Sequence, residues 1–321
     1  MRFTISSEQR EFAASLRRQL GAADTPSVIR AWSAGDFAPG RKLWTQLADA
    51  GVPALAAPEL HGGFGAHPID LVLAFVELGR AAVPGPYVES VAVLPTLLAG
   101  TSQARRIDAL ASGEQVATLA APPGVPYAVD AAASDIVVLL DGTDLYEAIT
   151  VGEVASVDRA RKLAEVTAGD RLCMAGDVER AFDLGALAAS AQILGAGQVV
   201  LDTATEYAKA RVQFGKPIGS FQAVKHQLAD ALVGLELARP LLFGAALAVA
   251  DDSADRARDV SAAKVACVDA AYRASRVALQ VHGAIGYTSE CDLALWLTKI
   301  RALRSAWGTQ AEHRARVLAA L

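Results

Sequence analysis

The C-terminal third of the chain most constrains its fold. From Ala181 onward, apolar residues recur at helical spacing through four segments, about 183–211, 222–250, 254–282 and 289–320. In the first, Ile193, Ala196, Val200, Ala204, Tyr207 and Ala208 form an apolar face, and Asp202, Thr205, Glu206 and Lys209 a polar one. Four long helices with short connections predict a bundle.

The N-terminal part also reads as helical. Residues 5–20 open with Ser6 and Ser7 as N-cap candidates and Glu8 and Gln9 in the first turn. Residues 40–50 place Leu43, Trp44, Leu47 and Ala50 on one face and stop at Gly51. A loop punctuated by Pro58, Gly62, Gly63 and Gly65 leads into an apolar helix from about Pro68 to Arg80. Two more helices are predicted within 88–113. Between about 116 and 182 the pattern changes to short β-rich runs separated by Asp-Gly and Pro-Gly turns, a small β-domain. The chain therefore divides into an N-terminal helical domain (1–115), a short middle β-domain (116–182) and a C-terminal four-helix bundle (183–321).

With 53% hydrophobic residues in 321, there is ample material for a large core. The net charge is -5 and no segment concentrates Lys and Arg, which argues against nucleic acid as a partner. The N-terminus lacks the apolar core of a secretory signal, and no run of about 18 apolar residues predicts a membrane span. The three cysteines, Cys173, Cys267 and Cys291, form no CxxC pair, so neither a zinc site nor a disulfide framework is expected. A reducing cytoplasm follows as the expected location, with no metal.

One stretch carries the strongest chemical signal. Arg211-Val-Gln-Phe-Gly-Lys-Pro-Ile-Gly-Ser-Phe-Gln222 joins the first two bundle helices. A guanidinium at a helix end, followed by exposed backbone and a Gln, suits a phosphate because it can donate two parallel hydrogen bonds. A second motif is Gln280-Val-His-Gly-Ala-Ile-Gly-Tyr-Thr288, where Gly283 and Gly286 allow close backbone approach. His282 within it reads as a satisfied structural histidine, with a ligand role as the lesser alternative. The third is Ala306-Trp307-Gly308-Thr309.

These three motifs, with SSEQREF, LWTQLADAGV, PELHGGFG and FVELGRAAVPGPY in the N-terminal half, resemble the acyl-CoA dehydrogenases. The resemblance implies a mainly α fold of the acyl-CoA dehydrogenase type, with a reduced middle β-domain. It implies FAD as cofactor, with Arg211, Gln213, Phe214 and Gln222 gripping the pyrophosphate of a flavin held in a neighbouring subunit. Gln280, Gly283 and Gly286 match positions used against the adenosine end. Gly308 and Thr309 match positions near flavin or ribose.

The departures are informative. Where the family has a loop like Thr-Glu-Pro-x-Ala-Gly-Ser-Asp, this chain has Leu119-Ala-Ala-Pro-Pro-Gly124. Where many members carry the glutamate base that removes the α-proton of the acyl-CoA, it has Trp307, which is no base. The alternative family position falls on Gly185, with Ala186 beside it. Asp183 is expected to face the other way, and Glu179 to lie outside the helix. Glu236 reads as a solvated residue. No catalytic residue is assigned on this chain. The implied reading is a subunit of a heteromeric enzyme, similar to the short base-less subunits of actinobacterial α2β2 steroid-degrading dehydrogenases. Its implied partners are a homologous subunit carrying the base, an acyl-CoA substrate and an electron-transfer acceptor. A non-flavin regulatory partner, or a homomeric fatty acyl-CoA dehydrogenase with an unidentified base, stays open at this point.

Overall fold

A computed structural model describes residues 5–288 and 290–321. The N-terminal helices are α1 (Ser7–Gly21), α2 (Thr25–Ser33), α3 (Ala38–Asp49) and α4 (Pro68–Arg80). A π-helical turn (Val88–Val93) runs into α5 (Leu94–Leu98), and α6 (Arg106–Ala111) closes the region. α1 starts on a capping box: the Ser6 side chain accepts from the Gln9 N–H, and the Gln9 side chain accepts from the Ser6 N–H. Helix α2, not anticipated from the pattern, begins after Asp24 with Pro26 in its first turn and buries Val28, Ile29 and Trp32.

The middle layer is one five-stranded sheet of order β1-β3-β4-β5-β2. Its strands are β1 (Ala117–Ala120), β2 (Ala128–Val129), β3 (Ile136–Asp141), β4 (Asp144–Val154) and β5 (Leu163–Met174). Only β1 and β3 pair in parallel.

The C-terminal helices are α7 (Val178–Ala210), α8 (Gln222–Ala250), α9 (Arg256–His282), α10 (Leu293–Leu303) and α11 (Gln310–Ala319). A two-residue ribbon, β6 (Val212–Gln213) with β7 (Lys216–Pro217), forms the turn between α7 and α8. The expected fourth bundle helix is two helices. The break falls where Trp307 has φ 57° and Gly308 φ 97°, conformations no helix interior accepts. α7 also starts five residues earlier than expected, at Val178, because the Asp177 side chain caps it by accepting from the Arg180 N–H.

Helix α7 is the axis of the molecule, and its small residues explain why. A Cβ on Gly79 of α4 would stand 1.9 Å from the Gln192 carbonyl oxygen, and one on Gly195 of α7 would stand 2.0 Å from that of Val76. Two glycines facing each other's backbone bring α4 and α7 closer than side chains permit. This contact fixes the N-terminal helices on the C-terminal ones.

Among the described residues two helices are long and apolar enough to cross a membrane, although the unbroken-run criterion predicted none. The most apolar window of α7 is 94% buried within the protein, whereas that of α8 is 39% buried. The outer side of α8 exposes Leu232, Val233, Leu237 and Leu241.

Candidate functional site

The residues singled out by sequence fall into two clusters at opposite ends of α7. Gly185 lies near its start and Arg211 caps its end. At 1.5 Å per residue the two are about 40 Å apart. Such a span exceeds one extended dinucleotide.

The far cluster gathers the first two motifs. The ring of Tyr207, in the last turn of α7, stacks on His282 at the end of α9, with centroids 4.3 Å apart. His282 is buried and its Nδ1–H donates to the Ala278 carbonyl, so it is a satisfied structural histidine. The stack brings the turn after Arg211 and the turn after Gln280 to one end of the bundle. Arg211, Gln213 and Gln222 are exposed, and Arg211 has no ion-pair partner among the described residues. Phe214 has φ 51° and its ring is 92% exposed, edge-on to Phe221. Lys216 Nζ sits 4.4 Å above the Phe221 ring. Gln280 is exposed, and Gly283, at φ 67°, faces open space where a Cβ would be. Gly286 instead is buried against Leu279 and His282. An unpaired guanidinium, free amides and an open glycine form a donor set that fits an anionic cofactor.

The near cluster is built around Trp307. Its indole fills the space above Gly185: a Cβ there would stand 2.4 Å from Cε3. The indole N–H donates to Glu89 Oε1 at 3.0 Å, and the Trp307 carbonyl accepts from His313 Nε2–H at 2.8 Å. His313 Nδ1 in turn accepts from the Ser261 hydroxyl at 3.1 Å. Burial pushes the His313 pKa down to about 4, so the imidazole is neutral near pH 7. Burial likewise raises the pKa of Glu89, which lies on the π-helical turn 3% exposed. Gly308 packs on His313, where a Cβ would meet Nε2 at 2.7 Å. The Thr309 hydroxyl is the N-cap of α11, accepting from the Glu312 N–H.

The acidic residues near this cluster are accounted for in turn. Asp183 is fully buried, with Oδ2 accepting from Arg256 Nε at 2.8 Å and Oδ1 from Arg316 Nη2 at 2.9 Å. Both oxygens are held by arginines. Glu179 departs from expectation. It lies in the first turn of α7, is exposed, and lines a cavity of about 360 Å³ beside Trp307, Phe182, Leu97 and Pro123. The longer α7 is the reason. Glu236, as expected, is exposed and pairs with Arg239. Glu89 was missed altogether. A lone carboxylate in the otherwise uncharged run Tyr87 to Leu98 was the available signal. Among the described residues no group of three or more His, Cys, Asp or Glu is placed to hold a metal ion.

The molecule is mainly helical, with one sheet between two helical parts. Residues 6–114 match the acyl-CoA dehydrogenase N-terminal domain and residues 176–321 the acyl-CoA dehydrogenase C-terminal domain. The chain belongs to the acyl-CoA dehydrogenase family, whose cofactor is FAD. It is 34% identical to acyl-CoA dehydrogenase IpdE2 of Mycobacterium tuberculosis over 85% of either chain. Its fold is similar to a chain of the ChsE4-ChsE5 complex from Mycobacterium tuberculosis (TM-score 0.86, 24% identity, covering 99% of this chain and 98% of that one). It is also similar to a chain of the Tcur3481-Tcur3483 steroid acyl-CoA dehydrogenase (TM-score 0.85, 22% identity, 98% of each).

Proposed function

We propose that this chain is one subunit of a heteromeric acyl-CoA dehydrogenase and that a partner of the same fold carries the catalytic base. One observation carries the reading: a single indole fills both places from which a family base would act, Trp307 and the space above Gly185. Neither residue can take a proton. At the far end, Arg211, Gln213, Phe214 and Gln222 would hold the pyrophosphate of an FAD seated mainly on the partner. Gln280 and Gly283 would face its adenosine, whereas Gly286, buried against Leu279 and His282, would only shape the turn behind them. Gly308 and Thr309 are assigned to the flavin or ribose on this chain's own side. Bound FAD supplies hydride acceptance in the α,β-dehydrogenation of a CoA thioester, and electrons leave to an electron-transfer acceptor.

Three observations support a partner. The two clusters lie too far apart to serve one cofactor within one chain. The outer face of α8 leaves Leu232, Val233, Leu237 and Leu241 uncovered, a stripe that suits helix-to-helix docking. The fold neighbours include proteins described as a complex and as a steroid enzyme. A steroid-derived thioester is the proposed substrate, and the cytoplasm the proposed location.

The test is expression with and without the partner. Alone, the chain should hold little FAD and show no dehydrogenase activity; a yellow, active homo-oligomer would refute the division of labour. In the complex, Arg211→Ala should lower the flavin content, and unchanged content would remove Arg211 from the grip. Glu179→Gln should leave turnover unchanged. Abolished turnover would place the base on Glu179 and favour the homomeric reading.

A further inference from the structure

A lysine and two carboxylates are buried together where α10, α2 and the middle sheet join, apart from both clusters of the candidate site. Lys299 belongs to α10, Asp158 lies in the connection between β4 and β5, and Asp130 directly follows β2. None is more than 5% exposed. Trp32, hydrogen-bonded to Asp130, and Ala160, hydrogen-bonded to Asp158, belong to an apolar cluster that also holds Ile29, Ala82 and Ala133.

The contact between Lys299 and Asp158 differs from an ordinary ion pair. Lys299 Nζ stands 3.1 Å from Asp158 Oδ2, yet without the directionality of a hydrogen bond, and Oδ2 accepts from no other group among the described residues. Asp158 Oδ1 accepts from the Ala160 N–H at 3.0 Å, which fixes the carboxyl group and draws charge toward that oxygen. A nitrogen that lies against a carboxyl group without hydrogen-bonding to it is placed as a nucleophile is before attack, where the reacting atoms stand about 3–3.5 Å apart. Asp130 completes the arrangement. Its Oδ1 accepts from the Trp32 indole N–H at 3.1 Å and from the Lys162 N–H at 3.0 Å, while its Oδ2 is buried with no partner. Burial pushes the Asp130 pKa up to about 6, against the Trp32 hydrogen bond and the charge of Lys299. The free oxygen is therefore suited both to take and to return a proton near neutrality.

We propose that Lys299 and Asp158 join in an intramolecular isopeptide bond, with Asp130 as the proton relay. One proton of the Lys299 ammonium passes to the Asp130 carboxylate and frees the nitrogen lone pair, which attacks Asp158 Cγ. As the N–C bond forms, a second nitrogen proton and the proton held by Asp130 go to Asp158 Oδ2. The bond from Oδ2 to Cγ breaks and that oxygen leaves as water. The third proton stays on the amide nitrogen, so ammonium plus carboxylate becomes amide plus water with no oxidant or reductant. Burial favours the product, because the amide removes two charges from an apolar site. The bond ties α10 to the sheet covalently, and it depends neither on FAD nor on a partner subunit.

The experiment is intact-mass spectrometry of the purified, denatured full-length chain, followed by tryptic mapping. Wild type should weigh less than its sequence mass by one water. The digest should hold a branched peptide joining residues 107–159 to residues 277–301, because trypsin does not cut after an acylated lysine. Lys299→Arg, which keeps the charge but forms no such amide, should show its full sequence mass, and so should Asp130→Asn. Wild type at full sequence mass overturns the proposal, whether or not either variant folds. Loss of water that persists in Lys299→Arg overturns it as well, since the loss then arises elsewhere, as from a succinimide at Asp141-Gly142. A branched peptide that persists in Asp130→Asn overturns the relay role of Asp130.

Discussion

Trp307 and Gly185 occupy each other's space. A methyl group on residue 185 would stand 2.4 Å from the indole Cε3, so the glycine and the indole are mutually required. Gly185→Ala alone should destabilise the fold by about 1–3 kcal/mol through overpacking. Trp307→Leu alone should cost about 3–5 kcal/mol through lost burial. In the double variant the methyl penalty should disappear, a coupling that a urea-denaturation cycle measures directly. Strictly additive losses would show that the two residues do not share this space.

The Glu89 carboxyl, its pKa raised by burial, accepts the indole N–H, and among the described residues it is the only acceptor of that group. Glu89→Gln keeps an acceptor oxygen and should change stability by less than about 1 kcal/mol. Glu89→Leu strands the N–H and should cost about 1–3 kcal/mol. Urea midpoints at pH 7 separate the two; a Gln variant as damaged as the Leu variant would mean that the folded protein needs the charge.

His313 makes the Trp307 corner sensitive to acid. Its pKa is about 4 in the folded protein, with burial the main cause, against roughly 6.5 when unfolded. Between those values the unfolded chain binds more protons, so stability rises with pH. The contribution is complete above about pH 6.5 and is lost as pH falls toward 4, by at most about 3 kcal/mol. His313→Gln should flatten this part of the profile, measured as urea midpoints from pH 4.5 to 7. Parallel profiles for wild type and variant would exclude His313 as the source.

Asp183 ties α7 to α9 and α11 through Arg256 and Arg316. Asp183→Ala should cost about 3–5 kcal/mol, because two guanidiniums lose a buried partner. A thermal scan close to that of wild type would show that both arginines find other acceptors.

Much of the architecture was legible because it is written in repeats. The helices at 68–80 and 222–250 follow from apolar spacing and caps, and Ser6 with Gln9 announced the first helix. Helix α2 was not legible, since nine residues barely establish a period. The break at Trp307 was hidden because the residues on either side keep helical spacing. What breaks the helix is a tertiary contact, His313 and Glu89 each holding one polar group of Trp307. The far-end residues were readable as one contiguous motif. Glu89 stood out only as a lone carboxylate; its partner was hidden, because residues 89 and 307 meet only in the fold.

The 33-residue length of α7 has a genetic consequence. If its two ends serve different chains, lesions at those ends belong to different complementation classes. Loss of Arg211 should behave in a bacterium like a defect in the partner's gene, and the two together should be no worse than either. Damage at Trp307 should instead deplete this subunit and be offset by raising its expression, which no dose of an Arg211 variant should match.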